Sequence, residues 1–486
     1  MNSWADTLVP TRMRRVAVMA AEPALRDVLV RVADAGCVEL DRPAGAAAGD
    51  PGPAAARLRG SATPPAAPRL SAAPPDLDAL SARGRTDLLA GEAQLEAYRA
   101  AAVRRGPVAA LAGWCPAADV PRLAGRLADA GGAVVPLRSP RGTDPPTLLP
   151  DTGPVRRSLA PLVRTYGTVP YADVDPTFAA GLAYVVMFGM MFGDAGHGLL
   201  LLLGALVLRS GRPRGRPALR RAWPFLAGAG IASTLAGIAY GEFFGPTGVL
   251  PVLWLNPLDR PLPLLLAAIA FGAVLLALAY AAGTVNRWRE GGPGRALYAS
   301  SGVAGAAVFL GLAGLAAGIA RHLPALTAGG AATAGAGLLL AGAGLYGATG
   351  GGLSGGLQTA VQLFDVVVRI GSNTVSFARL AAFGLTHAAL GAIVWQGTEA
   401  LARTGGPPAL VAAGLVLVLG NALAFALEAL VAGVQALRLE FYELFSRVFD
   451  AEGRPFRPWH VPTEVPEPPA PRPAPAPASR RTEVTS

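Results

Sequence analysis

Hydrophobic and polar positions change period along the chain. From Arg14 to Ala20 apolar residues alternate through Val16 and Val18, the pattern of a half-buried strand. Glu22-Pro23 opens a helix whose apolar face is Leu25, Val28, Leu29 and Val32, and Gly36 is placed to end it. CVEL, residues 37–40, reads as a second strand. Residues 107–137 repeat the scheme: PVAALAGWC is strand-like, Val120, Leu123 and Leu127 mark a helix face, Gly131-Gly132 ends it, and AVVPL is a strand. Two strand–helix–strand units predict a small α+β, ferredoxin-like domain over residues 1–137. Between them Arg42 to Pro75 is rich in Ala, Gly and Pro and reads as linker, and one helix over Leu77 to Val103 leads into the second unit.

Residues 138–177 form a Pro-punctuated connector ending in DVDPTF, and after Phe178 the period gives way to long apolar runs. The first, 178–209, is interrupted by FGDAGHG and reads as two short spans, 178–192 and 195–209. Further spans are predicted at 223–243, 263–285, 297–321, 326–348, 357–403 and 408–449, the last two long enough to require tilt. The fold class is therefore mainly α: a polytopic membrane protein of about eight transmembrane helices behind a small α+β domain. Residues 450–486, rich in Pro, Ala and charge, are expected to be a disordered tail.

Composition agrees with this division. The chain has 486 residues, 52% hydrophobic and 15% charged, with mean hydropathy +0.41; a soluble domain carries nearer a quarter charged residues. Net charge is +10 and all 42 basic residues are arginine. With eight spans and a cytoplasmic N-terminus, the loop bearing Arg209, Arg212, Arg214, Arg216, Arg220 and Arg221 is inside. So are the loop with Arg287, Arg289 and Arg295 and the end with Arg447, Arg454 and Arg457. The opposite loops hold only Arg260, Arg321 and Arg403. This is a positive-inside pattern, not a nucleic-acid footprint. No secretory signal is visible, so both termini are expected in the cytoplasm. Cys37 and Cys115 have no metal or redox spacing and read as inert.

One stretch carries too much polarity for a simple span. Gln362 to Trp395, QLFDVVVRIGSNTVSFARLAAFGLTHAALGAIVW, is apolar enough to cross a bilayer. On one helix Asp365, Arg369, Ser372, Ser376, Arg379 and Phe383 follow at steps of three or four, continued by Thr386 and His387, with Asn373 beside them. A charge at mid-bilayer costs roughly 2.5–3.5 kcal/mol on insertion scales. Asp365 and Arg369 at i, i+4 fit a packed ion pair. Arg379 has no acid one turn away, which favours function.

The last span mirrors it: Asn421, Glu428, Gln435 and Tyr442 recur every seven residues, with Arg438 near Gln435. The bland reading is a polar seam locking two helices together. The functional one is a pair of water-accessible half-passages meeting near Arg379, where a permanently charged guanidinium acts as a barrier and attracts a carboxylate on a moving partner. Asp194 and His197, at the break between the first two spans, fit a helix cap better than a conduction role. The Gly-rich tract 328–356 offers faces for close helix packing. No HExxH, Cys/His cluster, GxSxG or nucleotide fingerprint occurs, so no catalytic site, cofactor or metal is expected within this chain.

These residues resemble the membrane-embedded a subunit of V-type and archaeal-type rotary ATPases, called subunit I in prokaryotes. MFGMMFGDAGHGLLLLL resembles the family's first membrane motif. SNTVSFARLAAFGLTHAAL resembles its Arg-bearing helix, and LEALVAGVQALRLEFYELFSRVFDAEGRPFRPW its last helix and end. Weaker similarity reaches across most of 13–459. The resemblance implies that Arg379 is the stator arginine facing the carboxylates of a rotating proteolipid c-ring, and that Asp365 and His387 are polar half-channel residues. It implies the same for Glu428 and Arg438 of the last helix, with Ser376, Asn373, Gln435, Asp194 and His197 as secondary positions. It implies proton or sodium translocation coupled to ATP hydrolysis or synthesis. It further implies peripheral-stalk subunits, a central stalk and ATPase head, and a prokaryotic plasma membrane. The chain departs from the family at Arg42 to Val103, where members usually carry a long antiparallel coiled coil joining two α/β lobes. Two other classes remain open, a secondary ion-coupled transporter and a noncatalytic membrane scaffold.

Overall fold

The structure is a computed structural model that describes residues 9–41, 52–61, 64, 66–140, 142–150, 153–211, 217–449 and 452–464. It divides into two units: Arg12–Pro145 with the residues from Phe456 onward, and Pro146–Pro455 with those before Arg12.

The first unit is built on β1 (Met13–Ala21), whose alternating Val16 and Val18 are fully buried. It continues through α1 (Leu25–Ala35), β2 (Glu39–Leu40), α2 (Gly52–Gly60) and β3 (Leu70–Ser71). After these come α3 (Leu77–Ala82), α4 (Thr86–Ala101), β4 (Val103–Arg105), β5 (Val108–Pro116), α5 (Val120–Ala128) and β6 (Gly132–Pro136). Gly36 ends α1 in the left-handed conformation, φ 59°, where a side chain would be strained. The sheet order is β2-β5-β1-β6, antiparallel throughout, and β4 forms a hairpin with β5. Val28, Leu29 and Val32 of α1 and Leu123 and Leu127 of α5 join Val16, Val18 and Leu111 in one core.

Three expectations are corrected here. The region read as linker contains α2 and β3. Ala54 N donates to Glu96 Oε2 at 3.0 Å, and Leu70 is fully buried; residues 42–51, 62–63 and 65 of it lie outside the described residues. The single helix over 77–103 is broken at Arg83-Gly84, with Gly84 at φ 65°, and β4 begins at Val103. The tail contributes β7 (Thr463–Glu464), paired parallel with β3. Just before it, Trp459 donates from N to Val38 O (2.8 Å) and from Nε1 to Gln94 Oε1 (3.0 Å). An apolar pair, Trp459 and Val461, explains why this stretch folds back. The expected disordered tail beyond Glu464 lies outside the described residues. Cys37 and Cys115 are free thiols in hydrogen-bond contact; that bond and burial raise the Cys115 thiol's pKa.

The second unit is helical: α6 (Gly153–Tyr166), α7 (Thr177–Met191), α8 (Ala195–Arg209), α9 (Pro217–Arg221), α10 (Trp223–Tyr240) and α11 (Pro261–Tyr298). Then follow α12 (Val303–Ala320), α13 (Pro324–Ala348), α14 (Gly352–Ser376), α15 (Ala378–Thr404), α16 (Pro407–Leu439), a π-helical turn (Glu440–Phe445) and α17 (Ser446–Val448). Among the described residues six helical stretches are long and apolar enough to cross a membrane, and α7 and α8 are shorter apolar helices of 15 residues each. The chain is a mainly helical, multi-pass membrane protein with a small strand-containing N-terminal unit. Arg212, Arg214 and Arg216 of the basic loop lie outside the described residues.

Helix ends differ from the hydropathy reading where local chemistry intervenes. The span expected at 263–285 runs on to Tyr298, bent at Gly292 (φ 72°) ahead of Pro293, so the next begins only at Val303. The long span over 357–403 is two helices meeting at Phe377, which is fully buried against Gly272 of α11. On α13, Gly330, Ala334, Gly337 and Ala341 are buried. Gly330 and Ala334 meet Gly311 of α12, and Gly337 meets Val308, a small-residue seam that lets two backbones approach.

Candidate functional site

The polar residues of α14 and α15 do not form one row. The break at Phe377 divides them, and neighbouring helices gather them into three sets.

The set farthest along α15 is centred on His387. Asp194 is the N-cap of α8: its Oδ1 accepts from His197 N at 2.9 Å, and its Oδ2 accepts from Gly245 N at 2.9 Å. Ala195 N donates to Glu242 O at 3.0 Å, so the loop after α10 is tied to the same helix start. His197 Nδ1 lies 3.8 Å from Asp194 Oδ1. The His197 ring stands 5.6 Å, centroid to centroid, from that of His387, with Phe192, Phe244 and Phe425 packed around them. His387 Nδ1 contacts Glu428 Oε2 of α16. Asp194, His197, His387 and Glu242 are all 5% exposed or less.

The middle set surrounds Arg379 in the first turn of α15. Among the described residues Arg379 makes no ion pair, and its buried Nη1 has no hydrogen-bond partner. Glu443, buried on the π-helical turn, lies within electrostatic reach of Arg379 and Arg438, with Ser376 beside it. Arg438 is exposed, and Gln435 Oε1 is buried without a partner. Glu440, on the same turn, is fully buried with both carboxylate oxygens unpartnered. π-turns in helices recur at functional sites.

The third set is on α14. Asp365 pairs with Arg369, both side chains more than half exposed. In the amide orientation that satisfies both ends, Asn373 donates to the Arg369 carbonyl at 3.2 Å and accepts from Arg447 Nη2 at 3.0 Å. Arg447 lies over the Tyr280 ring at 5.4 Å.

Sequence reasoning missed Glu242, Glu440, Glu443 and Arg447 as site residues. Glu242 carried a usable signal, an acid closing the apolar run of α10. Glu440 and Glu443 carried none, because a π-turn shifts side chains off the helical spacing from which faces are read. Also unforeseen was the polar knot beneath α7. Asp175 accepts from Thr177 N at 2.9 Å and pairs with Arg156. Asn286 of α11 accepts from Val174 N at 3.0 Å and donates to Val448 O at 3.1 Å.

Fold and site together define a multi-pass helical membrane protein that buries ionisable side chains between its last spans. Residues 100–215 match the V-type ATPase 116kDa subunit family. The A-type ATP synthase subunit I of Thermococcus kodakarensis is 28% identical over 382 residues, 73% of this chain and 54% of that protein. The Halobacterium salinarum subunit I is 28% identical over 391 residues, 65% and 51% respectively. The human V-type proton ATPase 116 kDa subunit a 3 is 34% identical over 155 residues, 29% of this chain and 19% of that one. These matches bear out the resemblance carried by the membrane motifs: the chain is a relative of the V/A-type ATPase membrane subunit, a or I. It spans about half the length of the curated relatives it matches.

Proposed function

We propose that this chain is the static membrane subunit of a V/A-type rotary ATPase, providing two ion half-passages and the arginine between them. The observation that carries this reading is Arg379: a guanidinium that stays protonated, set in a membrane helix, with no carboxylate paired to it among the described residues. The missing partner is a carboxylate on a proteolipid ring. Faces of α14 and α16 support this, since Phe364 and Val368 of the one and Leu419, Leu423 and Leu427 of the other are exposed.

Arg379 and His387 lie on one helix, eight residues and about 12 Å apart. In the eight-span topology, with both termini cytoplasmic, the His387 set lies on the outer side of Arg379. Ser376, Glu443, Asp365 and Asn373 lie on the inner side. Each set is a half-passage: Glu428, His387, Asp194 and His197 exchange ions with one aqueous phase, and the inner acids with the other. A ring carboxylate releases its ion opposite Arg379, passes it, and reloads beyond, because an unpaired carboxylate facing lipid is neutral. Proton or sodium movement is thereby coupled to ATP hydrolysis or synthesis in a head on a central stalk.

The α/β unit is a ferredoxin-like domain, as its β2-β5-β1-β6 order and two crossover helices suggest, and it acts as a shortened brace toward peripheral stalks. We assign it to Arg12–Pro145 together with residues 456–464, with a connector to 177 and a translocating domain to 449, in a prokaryotic plasma membrane.

The test is Arg379→Ala in the assembled complex reconstituted in vesicles. ATP-driven ion uptake should vanish while the subunit remains in the complex; uptake at the normal rate would overturn the assignment.

A further inference from the structure

Asp194, His197 and His387 come from elements far apart in sequence, yet one ligand-competent atom of each lies within 4.8 Å of the other two. All three are buried, at 0, 2 and 5% exposure. Neither ring nitrogen of His197 makes a hydrogen bond of good geometry among the described residues, although Asn421 stands beside the ring. A polar ring so desolvated is costly unless something occupies its nitrogens. Glu428 at His387 Nδ1 favours the tautomer protonated there, leaving the Nε2 lone pair to a ligand. That is the carboxylate–histidine–metal arrangement by which an outer acid orients a coordinating imidazole. The Asp194 oxygens each accept one backbone N–H and keep further lone pairs.

The charges agree. Asp194, Glu242 and Glu428 lie around the two imidazoles, and among the described residues no arginine forms an ion pair with any of them. Buried carboxylates are either protonated or paired with a cation, and a metal ion bound here would serve all three. Two imidazoles and a carboxylate suit zinc-class ions, whereas calcium and magnesium prefer all-oxygen sets. A water would complete four ligands.

We infer that Asp194, His197 and His387 bind one divalent transition-metal ion of the zinc class, with Glu428 orienting His387. Spacing conceals the site, since the two histidines are 190 residues apart. Metal binding does not depend on the rotary reading. That a bound ion would obstruct the outer half-passage does rest on it.

The experiment uses the untagged full-length chain in detergent, titrated with zinc chloride by calorimetry. One zinc per chain is expected. His197→Gln should weaken binding at least tenfold, while His322→Gln and His460→Gln, which change the chain's two other histidines, leave it unchanged. Should His197→Gln fail to fold, X-ray absorption on the wild-type zinc complex decides. Imidazole nitrogen and carboxylate oxygen at roughly 2.0–2.2 Å are expected, and a sulfur shell near about 2.3 Å would place the metal on cysteine instead. No binding, or equal binding by His197→Gln, overturns the site. Arg379→Ala should bind zinc normally even as it stops pumping, so the site and the rotary reading can fail separately.

Discussion

His387 on α15 and Glu428 on α16 meet side chain to side chain, Nδ1 to Oε2, across 41 residues of sequence. Both are largely removed from solvent, at 6 and 12% side-chain exposure. Removing one member of a buried pair leaves the other unsatisfied, at a cost of roughly 3–5 kcal/mol, whereas removing both costs less than the sum. Glu428→Gln should therefore lower the thermal midpoint of the detergent-solubilised subunit and slow ATP-driven ion uptake without abolishing it. Combined with His387→Gln it should destabilise less than additively. An unchanged transport rate in Glu428→Gln would make the pair purely structural.

A second prediction concerns the start of α8. Asp194 accepts from His197 N and from Gly245 N, fixing both the helix cap and the loop beside it. Asp194→Ala removes both acceptors and should cost about 2 kcal/mol or more, the upper end for a helix cap. Asp194→Asn retains one accepting oxygen and should recover part of that. Equal thermal midpoints for wild type and Asp194→Ala would contradict this role.

How far the sequence foretold these contacts depends on what each feature rests on. Period and punctuation carried the two strand–helix–strand repeats of the α/β unit: Val16 and Val18 point into its core, and Gly36 ends α1. Hydropathy located the apolar helices, and FGDAGHG located the α7–α8 break with Asp194 as its cap. What escaped was tertiary. Phe377 interrupts the polar row because Gly272, distant in sequence, opens a slot for its ring. The tail's return to β3 follows from Trp459 and Val461, isolated apolar residues among prolines and charges. The sequence offered a seam between the last two polar helices, but the meeting of His387 with Glu428 came only from the fold, as did Glu242 through the loop after α10.

In the α/β unit, Arg26 donates from Nη2 to Glu92 Oε1 at 2.5 Å and to Ser71 O at 3.1 Å, and from Nη1 to Ala72 O at 3.2 Å. Burial raises the Glu92 pKa, and Arg26 opposes that shift. Arg26→Met leaves the acid without its counter-charge, and the full chain should lose roughly 3–5 kcal/mol at neutral pH. Adding Glu92→Gln should restore much of it, since the orphaned charge is gone. A double variant no more stable than Arg26→Met would show that the guanidinium's bonds to the two carbonyls matter more.

The connector supplies the pH dependence. Asp173, fully buried ahead of α7, has its pKa pushed up to about 7 from an ordinary 3.8, first by burial and then by the carboxyl of Glu290. Arg287 and Arg289 pull the other way without cancelling this. Because the folded value lies above the unfolded one, the folded state binds the extra proton more tightly. The stabilisation is complete below about pH 4 and is lost as pH rises through about 7. Asp173→Asn keeps the neutral shape and removes the titration. The thermal midpoint of wild type should thus fall relative to Asp173→Asn between pH 5 and pH 8, by several degrees, and level off above that. Parallel pH profiles for the two proteins would mean that Asp173 ionises in the folded chain as readily as in water, and that Arg287 and Arg289 compensate its burial in full.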